Sequence, residues 1–237
     1  VPRTPVQRLR SWSVPVGIIV IAGLLIAILV TQGERGSTGA AETDPATTQQ
    51  APPDLTFVET RDPDDVQSAG PADAPVALVI YSDYQCPYCA KWSNETLPAM
   101  MDYAELGDLR IEWRDVNQYG ADSERGARAA HAAGIQGRFW EFHDALFPNG
   151  AHLGPDRLTE EALVSIAGDL GLDTGRFLAD MNSDETLAAV QRYAAEGRRL
   201  GVSGTPTFVL GGEPIVGAQP RSVFTETLTR KLAEARD

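Results

Sequence analysis

The chain has 237 residues, 43% of them apolar and 22% charged, with a formal net charge of −13. That is enough for one large domain or two small ones, and the apolar share suits an ordinary folded body. From Gly36 on there are 32 acids against 16 bases. Such a surface repels nucleic acid and anionic lipid, so no nucleic-acid partner is expected.

Residues 1–13 carry Arg3, Arg8 and Arg10 and no acid. They precede an uncharged, mostly aliphatic run from Val14 to Val30, about 17 residues long and near the lower limit for a membrane span. Pro15 and Gly23 are both tolerated in spanning helices. The arginines place residues 1–13 in the cytoplasm, a transmembrane anchor at 14–31, and the rest of the chain outside. Trp12 suits the membrane interface. A cleaved signal peptide is the alternative, but no small-x-small site follows the run at once; Ser37 to Ala41 comes late. Residues 32–54 are rich in Gly, Thr, Ala, Gln and Pro, without hydrophobic period. They read as a flexible linker.

A folded domain is expected over 55–237, beginning near Leu55-Thr56-Phe57-Val58. The expected order is strand, strand, helix, strand, helices, strand, strand, helix. Val76 to Tyr81 is an apolar run that reads as a buried strand. Cys86-Pro87-Tyr88-Cys89 follows, the only two cysteines in the chain, and Ala90 to Tyr103 reads as a helix with Pro98 as a kink. A cysteine pair at a strand-to-helix junction is a redox arrangement. The helix N-terminus offers free N–H groups and positive dipole, which favour thiolate over thiol. Pro87 suits the first helical turn.

A structural disulfide is the plain alternative. Its loop of four residues would remove only about 2 kcal/mol of unfolded-state entropy. A zinc site would need two more ligands, and the spacing of His131, His143 and His152 matches no common zinc pattern. No metal and no cofactor are expected. Asp83 is the nearest acid to the pair. It moves protons to Cys89 or tunes the thiolate, or else it caps the turn before the helix.

Leu109 to Asp115 alternates apolar and charged residues, the pattern of a half-buried strand. A helical block follows over about 120–200, with Gly134, Gly171 and Gly201 as expected helix ends. His131 and His143 fall in amphipathic stretches and read as packing or surface residues; Trp140 and Phe142 read as core. Pro206 to Leu210 is a strand, Gly211-Gly212 a turn, and Pro214 to Val216 the returning strand of a hairpin. A last helix runs from Pro220-Arg221 to Ala235.

Asp83-Tyr84-Gln85-Cys86-Pro87-Tyr88-Cys89, the helix Phe139 to Leu146 and Gly204-Thr205-Pro206-Thr207 occur here in the order of the thioredoxin superfamily. From about Phe57 to Ala235 the chain resembles its DsbA-like branch of thiol:disulfide oxidoreductases. The resemblance implies an α/β, thioredoxin-like fold with a helical insertion, preceded here by the anchor and linker. It implies an exposed nucleophile at Cys86 and a buried resolving thiol at Cys89. It also implies that Pro206 is cis beside the cysteines, that the Thr205 backbone pairs with an extended substrate segment, and that the residues at Pro87, Tyr88 and Asp83 tune the site. Tyr88 stands where histidine is common and Thr205 where valine is common, so the redox potential does not carry over. The implied partners are exported proteins with cysteines and a membrane redox protein that reoxidises the pair.

The function expected from this is a membrane-anchored, extracytoplasmic enzyme that introduces disulfides into exported proteins. A reductase or isomerase, for example in cytochrome assembly, shares the same residues. A thioredoxin-like copper-binding or delivery module is the alternative from another class; it would favour Cys-x₃-Cys with a nearby histidine or Met-rich segments.

Overall fold

The computed structural model describes residues 53–236. The expected cytoplasmic segment, the anchor at 14–31 and nearly all of the linker lie outside these residues. Among the described residues no helix is long and apolar enough to cross a membrane.

The core is a five-stranded mixed sheet in the order β1-β3-β2-β4-β5. The strands are β1 Ser68–Ala69, β2 Val76–Ser82, β3 Leu109–Asp115, β4 Thr207–Leu210 and β5 Glu213–Val216. β2 and β3 are parallel, with Ser82 opposite Asp115. β2 pairs antiparallel with β4, and β4 with β5. Among the described residues eight α-helices accompany them: α1 Pro87–Glu95, α2 Leu97–Glu105, α3 Ala121–Ile135, α4 Phe139–Leu146, α5 Glu160–Asp169, α6 Thr174–Met181, α7 Asp184–Arg199 and α8 Arg221–Glu234. Helices α3 to α7 form the insertion between β3 and β4. This is a thioredoxin-like α/β fold with a helical insertion.

Several expectations shift. The chain at Thr56–Val58 makes a 3-10 turn, and the first strand comes later, at Ser68–Ala69. The helix after the cysteines is two helices. Thr96, at φ −121°, separates them, and Pro98 sits in the first turn of α2, where its missing N–H costs nothing. Gly134 lies inside α3; Gly137, at φ +74°, follows the helix instead. Gly171 and Gly201, both at φ +75°, do follow helix ends. Helix α6 was not singled out by the sequence pattern.

The largest departure is β3. Its alternation suggests one wet face, yet all seven residues are buried. Leu109, Ile111 and Trp113 enter the main core. Arg110, Glu112 and Arg114 face a strap formed by residues 59–65 and Tyr193 of α7. Arg114, fully buried, donates to Glu112 at 2.7 Å and Asp65 at 3.0 Å, and its guanidinium lies 4.4 Å from the Tyr193 ring centroid. Glu112 also accepts from the N–H groups of Thr60 at 3.0 Å and Arg61 at 2.6 Å. Charges can occupy this face because each meets a partner; unpaired, they would be prohibitive.

Replacing Arg114 by Met keeps much of the volume and leaves Glu112 and Asp65 buried without their cation. Chemical denaturation should show a loss of about 3–5 kcal/mol. A loss below about 1 kcal/mol would mean that the strap satisfies these carboxylates without Arg114.

Candidate redox site

Cys86 is the N-cap of α1 and Pro87 its first residue. The turn is shaped one step earlier. The Cys86 N–H donates to the Asp83 carbonyl at 3.0 Å, and the Cys86 carbonyl accepts from the N–H groups of Cys89 at 3.1 Å and Ala90 at 3.2 Å. Both cysteines are free thiols, so the arrangement is that of a dithiol.

Their environments push the two sulfurs apart. The Cys86 thiol is pulled down to about 6, first by the hydrogen bond from Cys89, against the opposing effect of burial, then by the Thr205 side chain and the N–H groups of Cys89 and Tyr88. Burial pushes the Cys89 thiol well up, reinforced by its hydrogen bond to Cys86 and the negative charge there; the Ser82 hydroxyl and the Asp83 N–H oppose this. At neutral pH the pair therefore holds one thiolate, on Cys86, and one proton, on Cys89.

Cys86 was expected to be exposed, and it is buried at rest. The sulfur is closed off by its surroundings and lies 3.2 Å from the Thr205 carbonyl oxygen. Access therefore requires a small displacement of the covering groups. The Thr205 carbonyl, expected to be open to a substrate, is occupied by Cys86 in this dithiol form. The Thr205-Pro206 peptide is cis, and Pro206 is buried just before β4. Tyr88 acts on Cys86 through its backbone; its ring is 63% exposed and turned to solvent.

Asp83 is fully buried and works as a clamp. Its Oδ1 accepts from the Gln85 N–H at 2.8 Å and the Ser123 hydroxyl at 2.6 Å, and its Oδ2 from the Tyr119 N–H at 3.2 Å. One carboxylate thus ties the cysteine turn to the β3–α3 loop and the start of α3. Helix α3 comes close: a Cβ at Gly126 would lie 3.2 Å from the Cβ of Tyr84. Capping describes Asp83 better than proton transfer, since its contact with Cys89 is through the backbone.

Sequence reasoning missed three neighbours. Tyr119, in a polar loop, looks like a turn residue. Its hydroxyl is pushed up by the negative charge on Cys86, then by burial. Ser82 ends β2 with a buried hydroxyl that has no hydrogen-bond partner among the described residues, and it lowers the Cys89 thiol against the effect of burial. Asp115 ends β3, with Oδ1 accepting from Trp113 Nε1 and Oδ2 from Gln67 Nε2, both at 2.9 Å. His143, read as a packing or surface residue, is a packing residue: it is fully buried among aromatic rings, with Nδ1 3.3 Å from the Tyr84 hydroxyl, and burial lowers it to about 3. His131 is partly buried and meets Gln67 at 2.9 Å. Trp140 is half-buried and Phe142 fully buried. Among the described residues no group of three or more His, Cys, Asp or Glu could hold a metal ion.

Burial pushes Asp115 up to about 7, against the hydrogen bonds from Trp113 and Gln67. A carboxyl whose folded pKa exceeds its unfolded one stabilises the fold below the unfolded value and loses that contribution as pH rises through the folded one. The loss should fall between about pH 4 and pH 7 and reach a few kcal/mol at most. Asp115→Asn cannot ionise, so its stability curve should be flatter than the wild-type curve across that window. Parallel curves would show that Asp115 is already ionised in the folded protein at pH 4.

The comparisons with known proteins agree with this geometry. Residues 63–230 match the family model described as thioredoxin. The chain is 33% identical over 180 residues to the Na(+)/H(+) antiporter NhaA 3 of Salinispora tropica, covering 74% of this chain and 26% of that protein. It thus spans about a quarter of the length of such antiporters. It is 30% identical over 151 residues to the probable disulfide bond formation protein D of Bacillus cereus, covering 62% of this chain and 70% of that one. The fold is shared with BdbD from Bacillus subtilis in its oxidised form, at a TM-score of 0.63 and 22% identity, over 70% of this chain and 92% of that one. The chain belongs to the thioredoxin family and carries a thioredoxin-like domain of the DsbA and BdbD type.

Proposed function

We propose that this domain is an extracytoplasmic thiol:disulfide oxidoreductase that introduces disulfides into exported proteins, with Cys86 as the reacting sulfur and Cys89 as the resolving one. The observation that carries the reading is the free cysteine pair at the start of α1, with Cys86 as its N-cap 3.2 Å from the carbonyl of the cis Thr205-Pro206 peptide; the environment lowers the Cys86 thiol and raises the Cys89 thiol.

The cycle follows from that split. In the oxidised enzyme a substrate thiolate attacks the Cys86 sulfur. The Cys86–Cys89 bond breaks, and Cys89 leaves and takes up a proton, as its high pKa favours. The substrate's second thiolate then attacks the substrate sulfur of the mixed disulfide and releases Cys86 as a thiolate. The substrate loses two electrons and the enzyme gains them as a dithiol. A stable Cys86 thiolate makes it a good leaving group and favours the reduced enzyme, which drives substrate oxidation. The Thr205 backbone, beside the sulfur, suits an extended segment held by main-chain bonds, which hold many sequences alike.

The setting outside the cytoplasm rests on the apolar run Val14 to Val30 with arginines before it and none within. A single-pass anchor would hold the domain near a membrane redox protein that accepts its electrons. Disulfides persist in that compartment.

The potential of the Cys86–Cys89 pair, measured by equilibration with glutathione, tests the direction. A thiol near 6 lies between those of thioredoxin, about 7, and DsbA, about 3.5. The potential should fall between their values of about −270 and −120 mV, and above about −230 mV. A value at or below about −270 mV would contradict the oxidase reading and favour a reductase.

A further inference from the structure

The two faces of the sheet are covered unequally. On one face Phe208 of β4 packs against Trp92 of α1 at 4.6 Å and Phe224 of α8 at 4.8 Å between ring centroids. On the other face Val79 and Tyr81 of β2 and Val209 of β4 form a small core with Val58 and Val116, against which Leu200 and Val202 pack. That core stops short of the sheet edge. Val216 of β5, on the same face, is 65% exposed. A groove of about 200 Å³ remains there, lined by Thr207 and Val209 of β4, by Val216, and by Leu200 and Val202 after α7. None of its lining residues is charged, in a chain that carries 32 acids from Gly36 on.

The groove runs up to the redox site. Gly204 lines it just before Thr205, and Thr207 lines it just after Pro206. Thr207 lies opposite Val216 in the sheet, and the next residue, Gly217, donates its N–H to the Pro206 carbonyl at 2.9 Å. The Thr205 carbonyl oxygen lies 3.2 Å from the Cys86 sulfur. A Cβ at Gly204 would meet nothing within 4 Å, so the space beside Thr205 is open.

We propose that this groove is a substrate subsite, which takes one apolar side chain of the polypeptide that reacts at Cys86, two residues from the reacting cysteine. The inference rests on the oxidoreductase role proposed above. An extended chain advances about 3.3 Å per residue, so two residues carry it from the sulfur across Thr205-Pro206 to the groove. Alternate side chains point the same way, so the residue two positions from the cysteine also turns toward the protein. Sites for whole small ligands run to about 300–1,000 Å³, and this groove is smaller, of a size for a single large side chain. A lasting contact between copies of the chain buries about 1,000 Å² or more, and one seated here would cover the Thr205 edge. A polypeptide that has not yet folded exposes apolar side chains that its core later buries. The subsite therefore favours unfolded chains over folded ones, and over glutathione, which has no apolar side chain to offer.

The test follows the rate at which the oxidised full chain forms the disulfide in two-cysteine peptides. The peptides carry Leu or Ser two positions before, or two positions after, the first cysteine, and glutathione serves as the thiol without the side chain. Leu should raise the second-order rate constant about tenfold over Ser on one side of the cysteine. Val216→Asp places a charge in the groove from an exposed edge position, and there the ratio should fall below about twofold. Wild-type ratios within about twofold on both sides overturn the subsite, whether the groove stands empty or residues 1–52 cover it. A Leu preference that survives in Val216→Asp also overturns it. So does a wild type that sediments as a dimer when Val216→Asp sediments as a monomer, which gives the groove to a second copy of the chain. Reaction with glutathione and with all peptides alike overturns the subsite alone; no reaction with any of these thiols overturns the oxidoreductase reading as well.

Discussion

The Asp83 carboxylate is the constraint on which the site depends. It is wholly buried, and both of its oxygens are used. It accepts from the turn before Cys86, from the loop after β3 and from the first turn of α3. Those three segments come from the sheet end, a connection and the helical insertion. A buried carboxylate is tolerated only when such donors surround it. The reverse also holds: the donors keep their positions because the carboxylate is there. The insertion is therefore part of the redox site and not an appendage to it.

The chemistry then needs little more than a helix start and a depth difference. Cys86 caps α1, where N–H groups and dipole converge. Cys89, one turn in, lies among Ser82, Tyr84 and the core, where a charged sulfur is costly. The two sulfurs titrate together, so the proton that one rejects the other keeps. Around this pair sit acids and a histidine whose burial shifts them: Asp115 upward, His143 downward.

Much of this was legible in the sequence because it is local. Val76 to Tyr81 reads as a buried strand, and Cys86-Pro87-Tyr88-Cys89 reads as a helix start, from a dozen neighbouring residues. The Gly204-Thr205-Pro206-Thr207 segment needed the family resemblance, since a Thr-Pro pair alone marks only a turn. What escaped was set by tertiary placement. The charged face of β3 looked wet because nothing in residues 59–65 announces a strap; it has no period, and its role comes from Thr60, Arg61 and Asp65 meeting Glu112 and Arg114. Asp115 reaches the site only through the parallel register that sets it opposite Ser82. Tyr119 belongs to a loop whose path is fixed by Asp83, a residue 36 positions earlier. The closure over Cys86 likewise depends on a carbonyl 119 positions away, and no spacing rule foretells it.

The central claim is that the reactive thiolate is on Cys86 and not on Cys89. The direct measurement is the pH dependence of alkylation of the reduced protein by iodoacetamide, with each cysteine followed separately by peptide mass spectrometry. The account predicts that Cys86 is modified first, with a rate that levels off above a midpoint near pH 6, while Cys89 stays unmodified up to about pH 9. Modification of Cys89 at neutral pH, or a Cys86 rate still climbing through about pH 8.5, would contradict it.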